Sequence, residues 1–581
     1  MATAPTMLTT FTEVSRHGRL YTGGKVHPSR DGSFLVCPCG AEVNVIDTAS
    51  GMAVLTVPAE ADEFTAFALR DDGKQLVTAG RSRQFRSWTL DVAEKTCTME
   101  RVWKGHKLPV LELAYDRSGG LVASASADTT VMVFDVDRGA TTHVFRGHTG
   151  VVNLVAFHPV QTDGQLLLIS AAADNAIKVW DLHAKACKAT LSSHVGQPTA
   201  LAFAPDGLTM LSAGRDQLVS VWRCRDWKLQ SSIAVLEPLE GLVVRSPAAA
   251  AGSAAAGSTP PLQFVSAGEG GWLRVWDAAS GRCLVREESA NGGEGGGSGE
   301  RPGLAGLTAV GADGALLALT VDHNIVFHEG ATLRTTRCFA GNNDEITDIK
   351  CVVAPPAVAG GAGGATAVVS SAGEGGGGGG RGMRLAVATN SEQIKLFDAG
   401  GGMSCALLSA HTDVVLGLDV HVDGQLIASA SKDGTARVWK AAAVPDPVAP
   451  FRCVAVCEGH VEAVGAVAFA FKAPWLITGS KDKTTKLWDL APALNGEGAG
   501  GETKASKRPK TGSEGRGVIK ARARSSVVGH QKEINACVAA AITLHPAHPA
   551  ACCCVLLRAA ACCCCCVSTA HSLDMGARVF V

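Results

Sequence analysis

Between residues 415 and 439 apolar and polar side chains alternate in short runs, VLGLDV, QLIASAS and TARVW. Side chains two apart share one face of a strand, so each run predicts a half-buried β-strand. Asp423-Gly424 separates the first two runs, as Asp206-Gly207 does earlier in the chain, and such pairs suit tight turns between antiparallel strands. About four such strands fit into a unit of 42 to 49 residues.

The unit recurs. SASADTTVMVFD (124–135), SAAADNAIKVWD (170–181), SAGRDQLVSVWR (212–223), SASKDGTARVWK (429–440) and TGSKDKTTKLWD (478–489) spell the same twelve-residue segment with different filler. Six residues after Asp128, Asp174, Asp216, Asp433 and Asp482 stands an aromatic, respectively Phe134, Trp180, Trp222, Trp439 and Trp488. Four residues before each aspartate is a hydroxyl, Ser124, Ser170, Ser212, Ser429 or Thr478. A histidine precedes each aspartate, at His106, His148, His194, His411 and His460; the gap is 22 residues in four copies and 26 in the second.

This spacing, with Gly-His before and Trp-Asp after, resembles the WD40 repeat family, whose blades of four strands build β-propellers. The resemblance implies that histidine, aspartate, hydroxyl and indole of each blade are hydrogen-bonded in series. Burying any of them alone costs ~1–3 kcal/mol, whereas a paired network satisfies all of them and fixes the turn. Catalysis or metal binding by the same His and Asp is the competing reading; five copies at one spacing favour the structural role.

With the aromatic position as marker, Ile46, Trp88, Phe134, Trp180, Trp222, Trp276 and His328 give seven units, and Phe397, Trp439 and Trp488 begin a second series after GNNDEITDIK. The expected architecture is all-β, as WD40 tandem β-propellers: a complete seven-bladed propeller over 1–335, then an incomplete second propeller of about three and a half blades over 336–540. VVGHQKEINACVA, from Val527, opens an eleventh unit in which Cys552 stands where aspartate is due. Residues 541–581 alternate Ala and Cys blocks, as the translation of a GC-rich repeat or an unspliced intron does, and the chain is expected to be a shortened version of a longer protein.

Composition narrows the function. Of 581 residues 46% are apolar, enough for a core, while 53 basic and 54 acidic residues leave a net charge of -1 and no global field toward nucleic acid or lipid. With no leader-like or membrane-length apolar run in view, a soluble intracellular protein is expected, with no membrane partner. Eight of the 20 cysteines crowd into 552–554 and 562–566, and the rest are scattered apart from Cys37-Pro-Cys39. That is no disulfide framework, and no CxxC pair in the repeats suggests zinc. GEGGGGGGRG (373–382) lacks the Gly-Lys-Ser/Thr ending and the strand-to-helix setting of a phosphate loop. No nucleophile with its base, cofactor or small-molecule substrate is implied, so the chain is expected not to be an enzyme.

Four inserts stretch the period, at 247–261, 289–302, 355–381 and 491–524. The first three are rich in Ala, Gly and Ser and are expected as surface loops. The fourth carries Lys507, Arg508, Lys510, Lys520, Arg522 and Arg524, a candidate nuclear-import signal or RNA-phosphate contact, with a solvated loop as the plainer alternative.

The residues between the markers say more. RLAVATNSEQIKLFD, HTDVVLGLDV and GHVEAVGAVAFAFKAPWLITGSKDKTTKLWDL, followed by a basic insert and GHQKEIN, resemble the tandem-propeller subunits of the small-subunit processome over roughly residues 15–540. That resemblance implies a nucleolar scaffold for pre-18S rRNA processing. Its partners would be other WD40 processome subunits and the U3 small nucleolar ribonucleoprotein with pre-rRNA. The alternative is a cytoplasmic WD40 adaptor, such as a ubiquitin-ligase substrate receptor or a G-protein-beta-like signalling scaffold. The absence of an F-box-like or coiled-coil segment ahead of the first blade weakens it.

Overall fold

A computed structural model describes residues 17–59, 62–160, 166–245, 262–286, 302–311, 314–353, 383–399, 402–442, 450–471, 473–495, 519–521 and 523–528. Within them the chain forms ten sheets in sequence order, antiparallel but for one added edge strand, each built from consecutive strands of a meander up to the last two sheets. Sheet three is representative: Val110–Tyr115, Leu121–Ser126, Thr130–Asp135 and Ala140–Arg146 pair in order. Its second strand, LVASAS, is almost wholly buried and the outermost, ATTHVFR, is mostly exposed, so the core lies between sheets.

The twelve-residue segment supplies the second strand, a turn and the third strand. Its turn needs a left-handed residue directly after the aspartate, and Thr129, Asn175, Gln217, Gly434 and Lys483 all have φ between 63° and 78°. Only one of the five is glycine, so the others carry strain. The aspartate relieves it: Asp128 Oδ1 accepts from the backbone N–H of Thr130 at 3.1 Å, and Asp433 does the same for Thr435 at 2.8 Å. The third and fourth strands slip register at the aromatic, between Val133 and Phe134, Val179 and Trp180, and Val438 and Trp439. Such bulges increase local twist, which a radial stack of sheets requires.

Apolar side chains fill the spaces between successive sheets. Clusters join sheets one and two (Val45, Trp88), two and three (Phe85, Phe134), three and four (Val133, Trp180), four and five (Ile169, Trp222), five and six (Leu211, Trp276), and six and seven (Val275, Leu316). A seventh cluster sets Ile46 and Leu35 of sheet one against Phe327 and Leu317 of sheet seven, so these seven sheets return on themselves. Sheet seven ends with the strand Thr335–Phe339, which moves the division between the two arrays from the expected 335 to just beyond Phe339.

Sheets eight to ten form a second stack, joined by the clusters of Ile394 with Trp439 and of Val438 with Trp488. The expected loop at 491–524 is corrected at both ends. Ala491–Asn495 is a short helix, Ile519–Lys520 adds a parallel strand to the edge of Phe451–Glu458, and Ala523–Val528 is the outer strand of sheet ten. Val527 and Val528 thus complete sheet ten. Residues 529–540, the expected half blade, the tail 541–581 and nearly all of the first three inserts lie outside the described residues. Among the described residues no helix is long and apolar enough to cross a membrane.

Candidate functional site: the buried polar bridges

In five sheets the marker residues meet. His106 Nδ1 lies 3.0 Å from Asp128 Oδ2 and its Nε2 2.7 Å from Ser124 Oγ. The same pair of distances is 3.0 and 2.8 Å for His148 with Asp174 and Ser170, and 2.9 and 2.8 Å for His194 with Asp216 and Ser212. They are 2.8 and 2.8 Å for His411 with Asp433 and Ser429, and 2.9 and 2.7 Å for His460 with Asp482 and Thr478. The indole N–H of Trp180, Trp222, Trp439 and Trp488 donates to the hydroxyl of its own sheet at 2.8 to 2.9 Å. Phe134 has no such donor and packs against Phe85 and Trp103 instead.

Donor and acceptor counts give each bridge a direction. The carboxylate only accepts, so Nδ1–H donates to it and Nε2 accepts from the hydroxyl, which in four of the five sheets also accepts from the indole. The histidine is then neutral. Burial pulls the His106, His148, His411 and His460 pKa values below the ordinary value, with the aspartates pulling the other way more weakly. Burial opposes ionisation of Asp433 as well, yet hydrogen bonds from His411 and Thr435 outweigh it and hold the carboxyl well below its usual range.

These histidines make acid destabilising. Between the ordinary histidine pKa and the lower folded value the unfolded chain binds protons that the folded chain does not, so their stabilisation is present above pH ~6.5 and declines as the pH falls through it. A thermal midpoint lower at about pH 5.5 than at about pH 7.5 is the expected result. An unchanged or higher midpoint in acid would show that the folded histidines are not held below the ordinary pKa.

Serine, histidine and aspartate in relay are also the parts of a hydrolase, but access decides their use here. Ser124, Ser170, Ser212 and Ser429 are 0% exposed. In the last three the indole already occupies the oxygen, so a substrate carbonyl has no approach to it. Among the described residues no group of three or more His, Cys, Asp or Glu side chains is placed to hold a metal ion.

Two sheets solve the same problem in reverse, which the motif does not reveal. In sheet two the turn position holds Ser82, and the acid comes from the preceding loop: Asp62 Oδ1 accepts from Ser82 N–H at 2.8 Å and Oδ2 from Ser82 Oγ and from Arg86 at 3.1 Å. In sheet six the turn holds Gly270, and the Glu237 carboxylate fills the space and pairs with Arg274 at 3.3 Å. A Cβ on Gly270 would sit 2.6 Å from Glu237 Oε2, so a side chain there would have to displace the carboxylate. In both sheets the hydroxyl and indole persist, as Trp88 to Thr78 at 3.0 Å and Trp276 to Ser266 at 2.9 Å. The readable cue is an arginine two residues before the tryptophan in a repeat whose turn lacks aspartate.

Of the basic candidates, Lys507, Arg508, Lys510 and Arg522 lie outside the described residues. Lys520 is exposed and pairs with Glu458 at 2.7 Å; Arg524 lies over the Trp475 ring at 5.1 Å and 3.9 Å from Asp489. Both are therefore strand residues with acidic neighbours.

The profile of the family described as "WD domain, G-beta repeat" matches residues 97–135, 139–181, 185–223, 402–440 and 451–489, each running from the outer strand of one sheet through the first three strands of the next and holding one complete His, hydroxyl and Asp bridge. The chain is a WD40-repeat protein. It is 37% identical over 527 residues to transducin beta-like protein 3 of Bos taurus, covering 90% of this chain and 58% of the relative. The human protein of that name is 34% identical over 481 residues, with 82% of this chain and 53% of the relative covered. U3 small nucleolar RNA-associated protein 13 of Saccharomyces cerevisiae is 27% identical over 495 residues, with 79% and 54% covered. This WD40-repeat protein thus spans somewhat more than half the length of the curated relatives it matches.

Proposed function

We propose that this WD40-repeat protein is a non-enzymatic scaffold of ribosome biogenesis, a nucleolar subunit of the small-subunit processome that supports pre-18S rRNA processing through protein contacts. The carrying observation is similarity along nearly the whole chain to transducin beta-like protein 3, together with a yeast relative whose name ties it to U3 small nucleolar RNA. Its partners are then other WD40 subunits of that assembly, with the U3 ribonucleoprotein and pre-rRNA reached directly or through them.

The surface suits such a role. Val195, Leu236 and Val461 are 82%, 81% and 90% exposed on loops between the outermost strand of one sheet and the innermost of the next. The buried bridges hold two of these loops rigid, since the N–H of Val195 and of Val461 each donates to the bridging aspartate. Rigid apolar anchors bind partners at little entropic cost. Lys507, Arg508 and Lys510 supply the import signal or RNA-phosphate contact in this reading.

The test is a tagged chain followed in cells. Nucleolar enrichment with co-purifying U3 and pre-rRNA is expected. A diffuse cytoplasmic signal that captures neither RNA rejects the proposal in favour of an adaptor.

A further inference from the structure

Among the described residues one isolated backbone bridge joins the outer edges of sheets seven and eight. Phe339, at the end of Thr335–Phe339, forms an isolated antiparallel bridge with Ser404, just before Cys405–Ser409. One step from that bridge the antiparallel register sets Cys338 opposite Cys405. Both thiols are buried, each residue 5% exposed, in a cluster with Ala340, Val387 and Phe397. Both are free thiols. Lys395 is buried beside them; its ammonium donates to the Gly341 carbonyl at 2.6 Å and favours the thiolate of Cys338. Directly opposed residues of antiparallel strands hold their Cβ atoms ~4.5–5.5 Å apart, close to the ~3.5–4.5 Å of a disulfide.

We propose that Cys338 and Cys405 are a reversible disulfide site that staples the seven-sheet ring to the second stack, with a small-molecule disulfide of the glutathione class as oxidant. One cysteine, as thiolate, attacks a sulfur of the oxidant, forming a mixed disulfide and releasing one small thiol. The other cysteine then attacks the protein sulfur of that mixed disulfide, forming the Cys338–Cys405 bond and expelling the second small thiol. Two protein thiols lose two electrons, the oxidant gains them, and the two thiol protons end on the two small thiols.

The adjacent Cys405 thiol and burial raise the Cys338 pKa and make thiolate scarce, so the reaction waits on opening of this edge. An edge held by one bridge opens more readily than a full ladder. The staple therefore answers sustained oxidation rather than a brief pulse. Without it, the same junction rests on the apolar cluster around Cys338 and Cys405 and on polar contacts such as Met403 N–H to the Ser50 carbonyl at 3.0 Å and Asn342 N–H to the Gly18 carbonyl at 3.0 Å.

The full chain is equilibrated in glutathione buffers of graded ratio, alkylated and mapped by mass spectrometry. A peptide pair joined through Cys338 and Cys405 is expected, with a thermal midpoint raised by roughly 5 °C or more over the reduced chain. Cys338→Ser and Cys405→Ser should each abolish the joined pair and the rise, whereas Cys187→Ser should change neither. The mapping uses the wild-type chain, so it stands even if a variant folds poorly. Free Cys338 and Cys405 at a ratio that fully modifies the exposed Cys187 and Cys283 overturn the proposal. So does a joined pair with no change in midpoint, because no staple has then formed.

Discussion

Asp62→Ala should cost ~3–5 kcal/mol, the range for removing one partner of a buried ion pair. Arg86 is 8% exposed at its side chain and Asp62 10%, so little water reaches the guanidinium once the carboxylate has gone. Burial raises the Asp62 carboxyl pKa, but hydrogen bonds from Ser82 and Arg86 outweigh burial and bring it below the usual value, which identifies the charged form as the one the site holds. Ser82 loses an acceptor for both its N–H and its hydroxyl in the same variant. Denaturant unfolding measures the loss. Asp62→Ala combined with Arg86→Leu should recover part of it, since the double variant removes both halves of the pair. A cost below ~1 kcal/mol for Asp62→Ala would show that the reversed bridge does not hold the turn.

The second large effect is at sheet nine. His411→Ala removes the group between Asp433 and Ser429 and should cost ~2–4 kcal/mol, because a buried hydroxyl and a half-buried carboxylate each lose a partner. Lys520→Ala is the control. Its pair with Glu458 is solvent-exposed, so the change should stay within ~0.5 kcal/mol. Hydrogen exchange locates the loss: protection should fall in Leu426–Ser431 and Thr435–Ala441 and persist in the seven-sheet ring. Equal losses from the two variants would mean that the histidine bridges contribute no more than a surface ion pair.

The repeat was legible because each copy is local. Hydroxyl, aspartate and indole lie within ten residues, on two strands and their turn, so one short window contains the chemistry and its spacing. The histidine is farther off, yet it precedes the unit at a nearly fixed distance, because the intervening strand and turn vary little in length. Asp62 and Glu237 escaped that reading. Their loops lack Gly-His, their turns lack aspartate, and only proximity in space reveals that a carboxylate from the other side of the same gap does the work.

Sequence alone determined the strands, their grouping in fours and the five bridges, because period-two patterning and turn chemistry act over a few residues. Tertiary structure decided the rest. It set Ile46 against Phe327 to return seven sheets on themselves, drew Ala523–Val528 across the basic insert to finish sheet ten, and placed Cys338 beside Cys405 at the meeting of the two arrays. Each of these joins segments far apart in the chain, and the apolar area they bury has no sequence period to announce it.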